Sequence, residues 1–405
     1  MIPVTEAIRI VKETTRPLGP EQVPLANVLG RILAQDIIAN SDLPPFDRAQ
    51  MDGFAVRAAD VAKAPVTLRI VGESAAGRGW HHEMHAGQAV RIMTGAPVPA
   101  GADAVQQVEL TRETDNGGVV EIREPVEPGR SIVKHGSEVK TGETVLRAGE
   151  QINAAMMAAL ASFGYATVKV GKRPLVAVLA TGSELVPVDQ APGADQIRDS
   201  NNYSISAYAE LAGAVVERLP LTGDDTELLM RQLTDAAERS DMIVSSGGVS
   251  MGAYDFTKLA LKKLEAQIFF DRVSLRPGKP TVFARLPNGT LAFGLPGNPV
   301  SVSVTFNLFA RTAIRAMQGA TEPALGEEWA VLAKGLKGSI ERESYLPARL
   351  RTNEDGVLLA EPLKWGGSSD FVTFARTTAL IIVPTGTKAL EAESRVKIVR
   401  LPGTA

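Results

Sequence analysis

Three stretches of the sequence end an apolar run with small polar residues, the pattern of a loop that binds an anion. The longest is DMIVSSGGVSMGAYDF, Asp241 to Phe256, in which Met242 to Val244 predict a buried strand and the glycines that follow predict a loop. A parallel strand that leads through such a loop into a helix leaves backbone N–H groups free beside the positive end of the helix. This stretch therefore predicts an anion site.

The same pattern recurs twice more along the chain. VAVLATGSEL, Val176 to Leu185, and TLAFGLPGNPVS, Thr290 to Ser301, each pass from an apolar strand into a short polar loop. A single loop of this kind is more simply a tight turn whose glycines permit unusual φ angles. Three such loops, with Glu184 and Asp255 beside them, favour one shared crevice at the carboxyl ends of neighbouring strands.

The elements that must position these loops alternate between strand and helix from Pro174 onward. Such alternation is typical of a doubly wound α/β sheet. Neither a P-loop motif nor a G-x-G-x-x-G motif occurs, so we expect phosphate groups to be bound by the strand-end loops. The predicted segments are Leu175–Ala180, Tyr203–Leu211, Val215–Leu219, Glu227–Glu238, Met242–Val244, Thr257–Leu264, Ile268–Val273, Thr281–Leu286, Leu291–Leu295 and Val300–Met317.

Two helices with one apolar face flank a region of different character. The first covers residues 4 to 14, and the second begins after Asn153, a residue type that commonly caps a helix. Between them, short alternating runs are separated by Gly, Pro and Asn clusters, which predicts β structure. We therefore expect a helical domain of residues 1–44 and 148–173, interrupted by an inserted β domain of residues 45–147.

The last region of the chain, residues 322–405, again consists of short alternating segments and predicts a C-terminal β-barrel or sandwich, of which we expect the barrel. Its loop WGGSSDF, Trp365 to Phe371, is either a turn or part of a lid. With a doubly wound domain in residues 174–321, the chain is expected to be an α/β multidomain protein.

Composition excludes several classes of function. The 405 residues carry 43 basic and 46 acidic side chains, a net charge of −3, and no basic run with interleaved aromatic residues, so nucleic acid is not an expected partner. No apolar run is long enough to span a bilayer, and we expect a cytoplasmic protein. The absence of cysteine excludes disulfides, Cys-zinc sites and thiol catalysis.

Two further sets of residues suggest chemistry less strongly. His81, His82 and His85 lie close together, but their spacing does not reproduce H-E-x-x-H, and we expect an exposed loop without a metal. Asp52 lies in the turn Met51-Asp52-Gly53 and is by default a solvated carboxylate. Spacing alone does not give it a role.

Taken together, these stretches resemble the MoeA family, the molybdopterin molybdenumtransferases, whose eukaryotic relatives include the E domain of gephyrin. Seven motifs in the family's order carry the resemblance over nearly the whole chain. They are PPFDRAQMDGFAV, IMTGAPVPAGADAVQQVE, ATGSELV, IRDSNNYSI, SSGGVSMGAYDF, RPGKP and LPGNPVS.

The resemblance implies a transferase that inserts molybdate at the dithiolene of adenylylated molybdopterin and releases AMP, aided by Mg²⁺. It further implies a homodimer in which Asp52 acts at the neighbouring subunit's site, and transient contacts with the molybdopterin adenylyltransferase and with apo molybdoenzymes. A binding or scaffold protein that retains the pterin pocket without turnover is the alternative. Molybdate and tungstate stay equally compatible with the residue types.

The resemblance also assigns roles to individual residues. Glu184 and Asp255 are expected to hold Mg²⁺ with phosphate and water oxygens, the ligands that this hard cation prefers. Glu138 is the nearest match to a further acid of the family. The carboxylates implied to be catalytic are Asp52, Glu184, Asp224 and Asp255.

The substrate is expected to be held by the strand-end loops and by two cations. Molybdate is a dianion, and Arg276 and Lys279 of RPGKP are suited to bind it, although the same stretch is otherwise a solvated hairpin turn. The residues expected to bind substrate are Thr181, Gly182, Ser183, Ser246, Gly247, Gly248, Ser250, Arg276, Lys279, Pro296, Gly297 and Asn298.

Three positions depart from the family's usual pattern. Ser183 replaces the aspartate of TGDEL, which removes a negative charge beside the expected metal and puts that assignment in question. Glu138 replaces an aspartate, and Arg276 replaces a common lysine. The last two changes preserve charge but alter shape.

Overall fold

The computed structural model describes residues 1–114, 117–223, 225–248 and 256–404. The chain divides into two compact units. The larger comprises Met1–Gln35, Ala148–Met157 and Ala166–Ala405, and the smaller comprises Asp36–Arg147 and Ala158–Tyr165. Within the described ranges, no helix combines the length and the apolar character that crossing a bilayer requires.

The elements of the first part of the chain are mostly short strands. In order they are α1 (Val4–Thr14), β1 (Pro20–Pro24), β2 (Ile37–Ile38), β3 (Arg48–Ala49), β4 (Gly53–Val56), α2 (Ala58–Val61), β5 (Val66–Ser74), β6 (Gln88–Ile92), β7 (Ala104–Gln107), β8 (Thr111–Thr114), β9 (Val119–Ile122), β10 (Ile132–Val133), β11 (Thr144–Leu146) and α3 (Ala154–Ser162).

The remaining elements alternate and then return to strands. They are β12 (Thr167–Gly171), β13 (Leu175–Ala180), β14 (Leu185–Val186), β15 (Ile197–Arg198), α4 (Asn201–Leu211), β16 (Val215–Arg218), α5 (Thr226–Ala237), β17 (Met242–Ser246), α6 (Phe256–Lys263), β18 (Gln267–Phe270), β19 (Leu275–Arg276), β20 (Val282–Arg285), β21 (Leu291–Leu295), α7 (Pro299–Thr305), α8 (Arg311–Met317), β22 (Glu327–Leu332), β23 (Leu336–Lys337), β24 (Glu343–Thr352), β25 (Leu358–Pro362), α9 (Phe371–Phe374), β26 (Ala379–Val383), β27 (Ala389–Leu390) and β28 (Arg395–Arg400).

A six-stranded sheet in the order β16-β13-β17-β21-β20-β18 forms the centre of the larger unit. Its strands are buried on both faces, because alternate residues of β13, such as Val176 and Ala177, enter two different cores. One core is shared with α1, α4, α7 and α8, and the other with α5 and α6. The predicted doubly wound sheet is confirmed.

The edge of this sheet differs from the alternating pattern. β20 and β18 run antiparallel to their neighbours, whereas β16, β13, β17 and β21 are parallel. Only a short turn at residues 286–290 joins β20 to β21, and a connection that short can only reverse the chain. The predicted strand Ile268–Val273 ends at Phe270, and the predicted helix Val300–Met317 is interrupted by a π-helical turn at Phe306–Ala310.

The expectation of a separate helical N-terminal domain is not confirmed. The buried face of α1, formed by Val4, Ala7 and Val11, packs into the core of the doubly wound sheet, and β1 pairs with β12 over five residues. The predicted cap of the second helix is present, since Asn153 Oδ1 accepts a hydrogen bond from Met156 N at 2.9 Å. The domain boundaries stay predictions.

The other two predicted β regions are present as β structure. In the smaller unit, six strands form a mixed sheet in the order β7-β4-β6-β5-β9-β8, and Phe54 and Ile92 lie in cores on its two sides. Near the C-terminus, β24, β25, β22, β28 and β26 pair in that order, and β26 pairs again with β24. This last pairing closes a five-stranded barrel.

Candidate functional site

The three loops singled out in the sequence leave the central sheet side by side. β13, β17 and β21 are adjacent and parallel, and their last paired residues are Ala180, Ser246 and Leu295. The pairing continues into the loops, since Thr181 N donates to Ser246 O at 2.8 Å and Gly247 N donates to Leu295 O at 3.2 Å. The predicted convergence of the loops is therefore confirmed at their first residues.

Glycine is required at position 247, where the loop after β17 approaches the loop after β13. Gly247 has φ of +87°, and a Cβ there would lie 2.2 Å from the carbonyl oxygen of Thr181. At Gly297 the nearest atom to an added Cβ would be the Cα of Gly247, at 3.7 Å. The loops after β17 and β21 thus meet backbone to backbone.

These loops open onto a cavity of about 860 Å³, which we call the crevice. Glu184 is exposed at its wall, and its carboxylate lies against Gly182, where an added Cβ would come within 2.5 Å of Oε2. The crevice is lined by Thr181, Glu184, Leu185, Val188, Pro192, Gln196, Ile197, Arg198, Asp199, Ser200, Asn201, Tyr203, Gly247, Gly297, Asn298, Pro299, Ser369 and Phe371.

Two buried polar residues of the crevice were not among the predicted site residues. Asn201 donates from Nδ2 to Gly297 O at 2.8 Å, and its Oδ1 has no hydrogen-bond partner among the described residues. Asp199 is 3% exposed and accepts a hydrogen bond from Asn202 N at 3.0 Å. The signal was present in the sequence, because Asp-Ser-Asn at the start of a helix is a pattern that places polar groups at the helix N-terminus.

A second cavity of about 930 Å³ lies between the doubly wound sheet and the barrel of the larger unit; we call it the cationic pocket. Among the described residues that line it, none is acidic and six are basic: Arg276, Lys279, Lys334, Lys337, Arg342 and Lys364. Lys334 is paired with Glu361 at 2.6 Å, outside the lining. A concave surface with this charge favours an anion.

The RPGKP loop is fixed within this pocket and is not a solvated hairpin turn. Pro277 and Gly278 are buried, and a Cβ on Gly278 would lie 2.4 Å from Cγ2 of Thr305 in α7. Arg276 pairs in register with Ser344 of the barrel strand β24. The backbone beneath both predicted cations is thereby held by packing and by a strand pair.

The loop of residues 365–371 forms a wall of both cavities. Trp365 and Ser368 line the cationic pocket, whereas Ser369 and Phe371 line the crevice. Asn298, which lines both, donates from Nδ2 to Ser368 Oγ at 2.8 Å. The loop is thus part of the site wall, and the LPGNP turn connects the two cavities.

Asp370 stabilises this loop through its carboxylate. It accepts hydrogen bonds from Gly366 N at 2.8 Å and from Thr373 N at 3.1 Å. These backbone donors, with the bond to Gly366 having the larger effect, lower the pKa of Asp370. The carboxylate is therefore ionised at neutral pH and caps α9.

Asp52 and Glu138 lie in the smaller unit. Asp52 Oδ1 accepts from Thr94 N at 2.7 Å and from Thr94 Oγ1 at 2.8 Å, and these bonds lower the pKa of Asp52. A carboxylate so stabilised acts as a charge or an acceptor at neutral pH and not as a proton donor. Glu138 forms an ion pair with Arg48 at 2.8 Å, and His81, His82 and His85 are exposed as expected.

Three family models and several relatives match the chain. The models are described as the MoeA N-terminal region (domain I and II), a probable molybdopterin binding domain, and the MoeA C-terminal region (domain IV), and they match residues 2–164, 177–316 and 330–401. A molybdopterin molybdenumtransferase of Bacillus subtilis (strain 168) is 36% identical over 98% of this chain and 93% of its own length. The chain belongs to the MoeA family.

Further relatives agree with this assignment. A molybdopterin molybdenumtransferase of Staphylococcus aureus (strain N315) is 34% identical over 98% of this chain and 95% of its own. The crystal structure of the molybdopterin biosynthesis MoeA protein of Pyrococcus horikoshii OT3 superposes with a TM-score of 0.84 at 27% identity, covering 99% of this chain and 100% of that chain. The resemblance inferred from the motifs is therefore confirmed.

The site residues expected for a MoeA protein are distributed over several places. The crevice is lined by four of them, Thr181, Glu184, Gly247 and Gly297. The cationic pocket is lined by three others, Arg276, Lys279 and Pro296. Asn298 lines both cavities. Of the expected residues, Asp224, Ser250 and Asp255 lie outside the described part of the chain.

Four expected residues are near the crevice without lining it. Ser246 is buried at the end of β17, and its Oγ has no hydrogen-bond partner within the described ranges. Gly182 and Gly248 lie in the loops that border the crevice, and Ser183 is exposed beside Glu184. Gly182, Gly248 and Ser246 shape the loops around the crevice. Of the four residues, Ser183 is the one at which a charged replacement would change the charge beside Glu184 most.

Proposed function

We propose that this protein is a molybdopterin molybdenumtransferase that inserts molybdate into the dithiolene of adenylylated molybdopterin and releases AMP. The observation that supports this most strongly is the pair of adjoining cavities connected at Asn298. One is lined by carboxylates, amides and apolar groups, and the other by six cations. A reaction that places molybdate at the dithiolene of a phosphorylated substrate has two anionic reactants to bind next to each other.

The crevice is proposed to hold the adenylylated pterin. Thr181 and the glycine-rich loops after β13, β17 and β21 present backbone groups at the carboxyl edge of the sheet, where ligands of open α/β sheets bind. The family resemblance adds Ser250, which follows β17 in the sequence, and Asp224, which follows β16. The buried Asp199 and Asn201 supply acceptors for N–H groups of the substrate.

The cationic pocket is proposed to hold molybdate. Arg276 and Lys279 lie on a backbone that packing holds in place, and Lys337, Arg342 and Lys364 add positive charge around the same cavity. An oxyanion gains charge-assisted hydrogen bonds from such donors. The absence of an acidic lining residue from the described part of the pocket avoids repulsion of a dianion.

Magnesium fits the donors of the crevice. Mg²⁺ is usually bound by one or two carboxylates together with substrate phosphates and water, and the exposed Glu184 carboxylate supplies one such ligand. Asp255 is proposed as the second. When bound, the cation would neutralise charge that develops on the phosphates, while Glu184 orients it.

The proposal also covers the location, the oligomeric state and the partners of the protein and the role of Asp52. We propose a cytoplasmic homodimer that receives its substrate from a molybdopterin adenylyltransferase and passes the product to apo molybdoenzymes. Asp52 is proposed to act as an ionised carboxylate, because the Thr94 hydrogen bonds lower the pKa of Asp52.

The decisive experiment incubates the protein with adenylylated molybdopterin, Mg²⁺ and molybdate. We expect molybdate-dependent release of AMP, measured by chromatography, and activation of an apo molybdoenzyme added afterwards. Tight binding of the pterin without AMP release would contradict the proposal and favour a carrier or scaffold. Omission of molybdate and of Mg²⁺ provides the matched controls.

A further inference from the structure

A further cavity of the larger unit, of about 460 Å³, lies beside the C-terminal barrel, and we call it the arginine cavity. Among the described residues, it shares no lining residue with the crevice or with the cationic pocket. Its wall is formed by β24, by the segment between α9 and β26, and by the residues that follow β28. The polar side chains in this wall are Arg349, Arg376, Thr377, Thr378 and Thr404.

The arginine cavity carries positive charge without a compensating acid, since none of its described lining residues is Asp or Glu. Arg349 pairs in register with Glu361 of β25. The Glu361 carboxylate, however, forms its ion pairs with Lys334 at 2.6 Å and with Arg351 at 3.9 Å. Within the part of the chain that the structure describes, neither Arg349 nor Arg376 forms an ion pair, so both guanidinium groups can bind an anion.

Two threonine hydroxyls of the same wall have unused hydrogen-bonding capacity. Thr377 is 3% exposed, and its Oγ1 atom has no hydrogen-bond partner in the described ranges. A buried hydroxyl without a partner is unfavourable, so a ligand that bonds to it stabilises the complex. Thr378 Oγ1 accepts a hydrogen bond from Leu350 N at 2.8 Å, which leaves its own O–H group to donate to a ligand.

Backbone hydrogen bonds fix the segments that meet at the arginine cavity. Thr378 N donates to Ala348 O at 3.0 Å, and Leu401 N donates to Thr378 O at 3.0 Å. Thr404 Oγ1 donates to Leu401 O at 2.8 Å, which ties the residues after β28 to the same place. Because the wall is fixed before a ligand arrives, little ordering of the backbone opposes binding.

We propose that the arginine cavity binds the phosphate group of a small phosphorylated molecule. The planar guanidinium groups of Arg349 and Arg376 match the geometry of phosphate oxygens, and the threonine hydroxyls can donate to the oxygens that remain. A volume of about 460 Å³ lies within the range of pockets that hold whole small molecules, roughly 300–1,000 Å³, so a phosphate ester fits better than the free ion. This site is independent of the proposed transferase function.

The test measures binding of glycerol 1-phosphate, inorganic phosphate and glycerol to the full chain by calorimetry. We expect glycerol 1-phosphate to bind more tightly than inorganic phosphate and glycerol not to bind. Arg349→Ala and Arg376→Ala should each raise the Kd for glycerol 1-phosphate about tenfold or more, the scale of a lost hydrogen bond to a charged group. Arg395→Ala removes an equal charge from an exposed position of the same barrel, outside the cavity lining, and should leave the Kd unchanged.

Two further variants assign the binding to this cavity. Because the cationic pocket also attracts anions, Arg276→Ala is titrated in parallel, and we expect the Kd that responds to Arg376→Ala not to respond to it. Thr377→Val keeps the shape of the side chain and removes the hydroxyl, so the Kd should rise about three- to tenfold. The thermal midpoint of the ligand-free protein should not fall, because the hydroxyl that is removed has no partner among the described residues.

Several outcomes would overturn the proposal. An unchanged Kd in both Arg349→Ala and Arg376→Ala would remove the site, and an equal loss in Arg395→Ala would reduce it to a general effect of charge. A Kd that responds to Arg276→Ala alone would place the phosphate in the cationic pocket. Inorganic phosphate that binds as tightly as glycerol 1-phosphate would overturn the choice of an ester in favour of the free ion.

Discussion

The crevice and the cationic pocket have similar volumes but opposite chemistry. The crevice combines carboxylates, amides and exposed apolar groups, whereas the described lining of the pocket contains six basic residues and no acid. The difference follows from the elements that build them. The crevice is formed mainly by strand-end loops and α4, and the pocket lies where the RPGKP loop meets the barrel.

This division allows two ligands of like charge to be bound close together. A phosphate ester and molybdate repel each other, so each requires its own positive charge, from a metal held by carboxylates in one case and from side-chain cations in the other. Carboxylates within the cationic pocket would weaken molybdate binding. Asn298 and the loop of residues 365–371 keep the two environments adjacent but separate.

The largest expected effect is on AMP release and follows from replacing Glu184 in the crevice. Glu184→Gln keeps the shape of the side chain but removes the charge proposed to hold Mg²⁺, and AMP release should fall by about a hundredfold or more. The thermal midpoint should stay nearly unchanged, because Glu184 is exposed. The matched control is Glu210→Gln on the exposed surface of α4, for which we expect wild-type rates. Wild-type turnover by Glu184→Gln would remove the carboxylate from the mechanism.

A substitution in the cationic pocket should instead change the dependence on molybdate concentration. Arg276→Ala should raise the molybdate concentration for half-maximal insertion by about ten- to a hundredfold, which corresponds to roughly 1.5–3 kcal/mol for a hydrogen bond to a charged group. Arg276→Lys should lose less, since charge is kept. AMP affinity should not change in either variant.

The control for this comparison is Arg231→Ala, which removes an equal charge from the exposed surface of α5. If weakened pterin binding accompanied an unchanged molybdate dependence in Arg276→Ala, the pocket would belong to the substrate phosphates. The proposed assignment of molybdate to the cationic pocket and of the substrate phosphates to the crevice would then have to be reversed.

The crevice was more predictable from sequence than the pocket. Its loops each follow a parallel strand, and parallel strands place their carboxyl ends at one edge, so Glu184, Gly247 and Gly297 converge by a local rule. The pocket depends on Lys334, Lys337 and Arg342, which lie more than 50 residues beyond Arg276 and reach it through the pairing of β19 with β24. No local pattern encodes that contact.

Local sequence patterns also predicted only part of the fold. The doubly wound sheet and the C-terminal β structure were predicted from alternation and period, but the strand order, the closure of the barrel, the antiparallel edge at β20 and the burial of α1 depend on tertiary contacts. Asn201 was missed because its sequence signal is that of a helix start, and its contact with Gly297 arises only when the first residue of α4 meets the loop after β21.

The loop that separates the cavities should affect both of them. Asp370→Ala removes the acceptor of the Gly366 and Thr373 N–H groups, and we expect a loss of about three- to tenfold in affinity for AMP and for molybdate together. Calorimetry with each ligand measures this. An effect on one ligand alone would show that the loop does not serve as a common wall.

The stabilisation that Asp370 gives to this loop depends on pH in a defined direction. The pKa of Asp370 is lowered in the folded protein, so its stabilising effect is complete above the unfolded value of roughly 4 and is lost as the pH falls through the lowered folded value. Ligand affinities of the wild type should therefore not vary through titration of Asp370 between about pH 6 and pH 8, a range that begins about two units above that value. A titration of loop-dependent binding near neutral pH would contradict this assignment.

The smallest measurable effect that we expect concerns Ser183, which stands where the family resemblance leads us to expect aspartate. Ser183 is exposed beside Glu184, so Ser183→Asp adds a carboxylate near the proposed metal without entering the cationic pocket. The Mg²⁺ concentration for half-maximal AMP release should fall by about two- to fivefold, because a hard cation gains from a nearby carboxylate even through water. Ser183→Asn, similar in size to aspartate but uncharged, should leave that concentration unchanged. Molybdate dependence should be the same in all three proteins, and a shift in it for Ser183→Asp would show that the two cavities are not electrostatically separate.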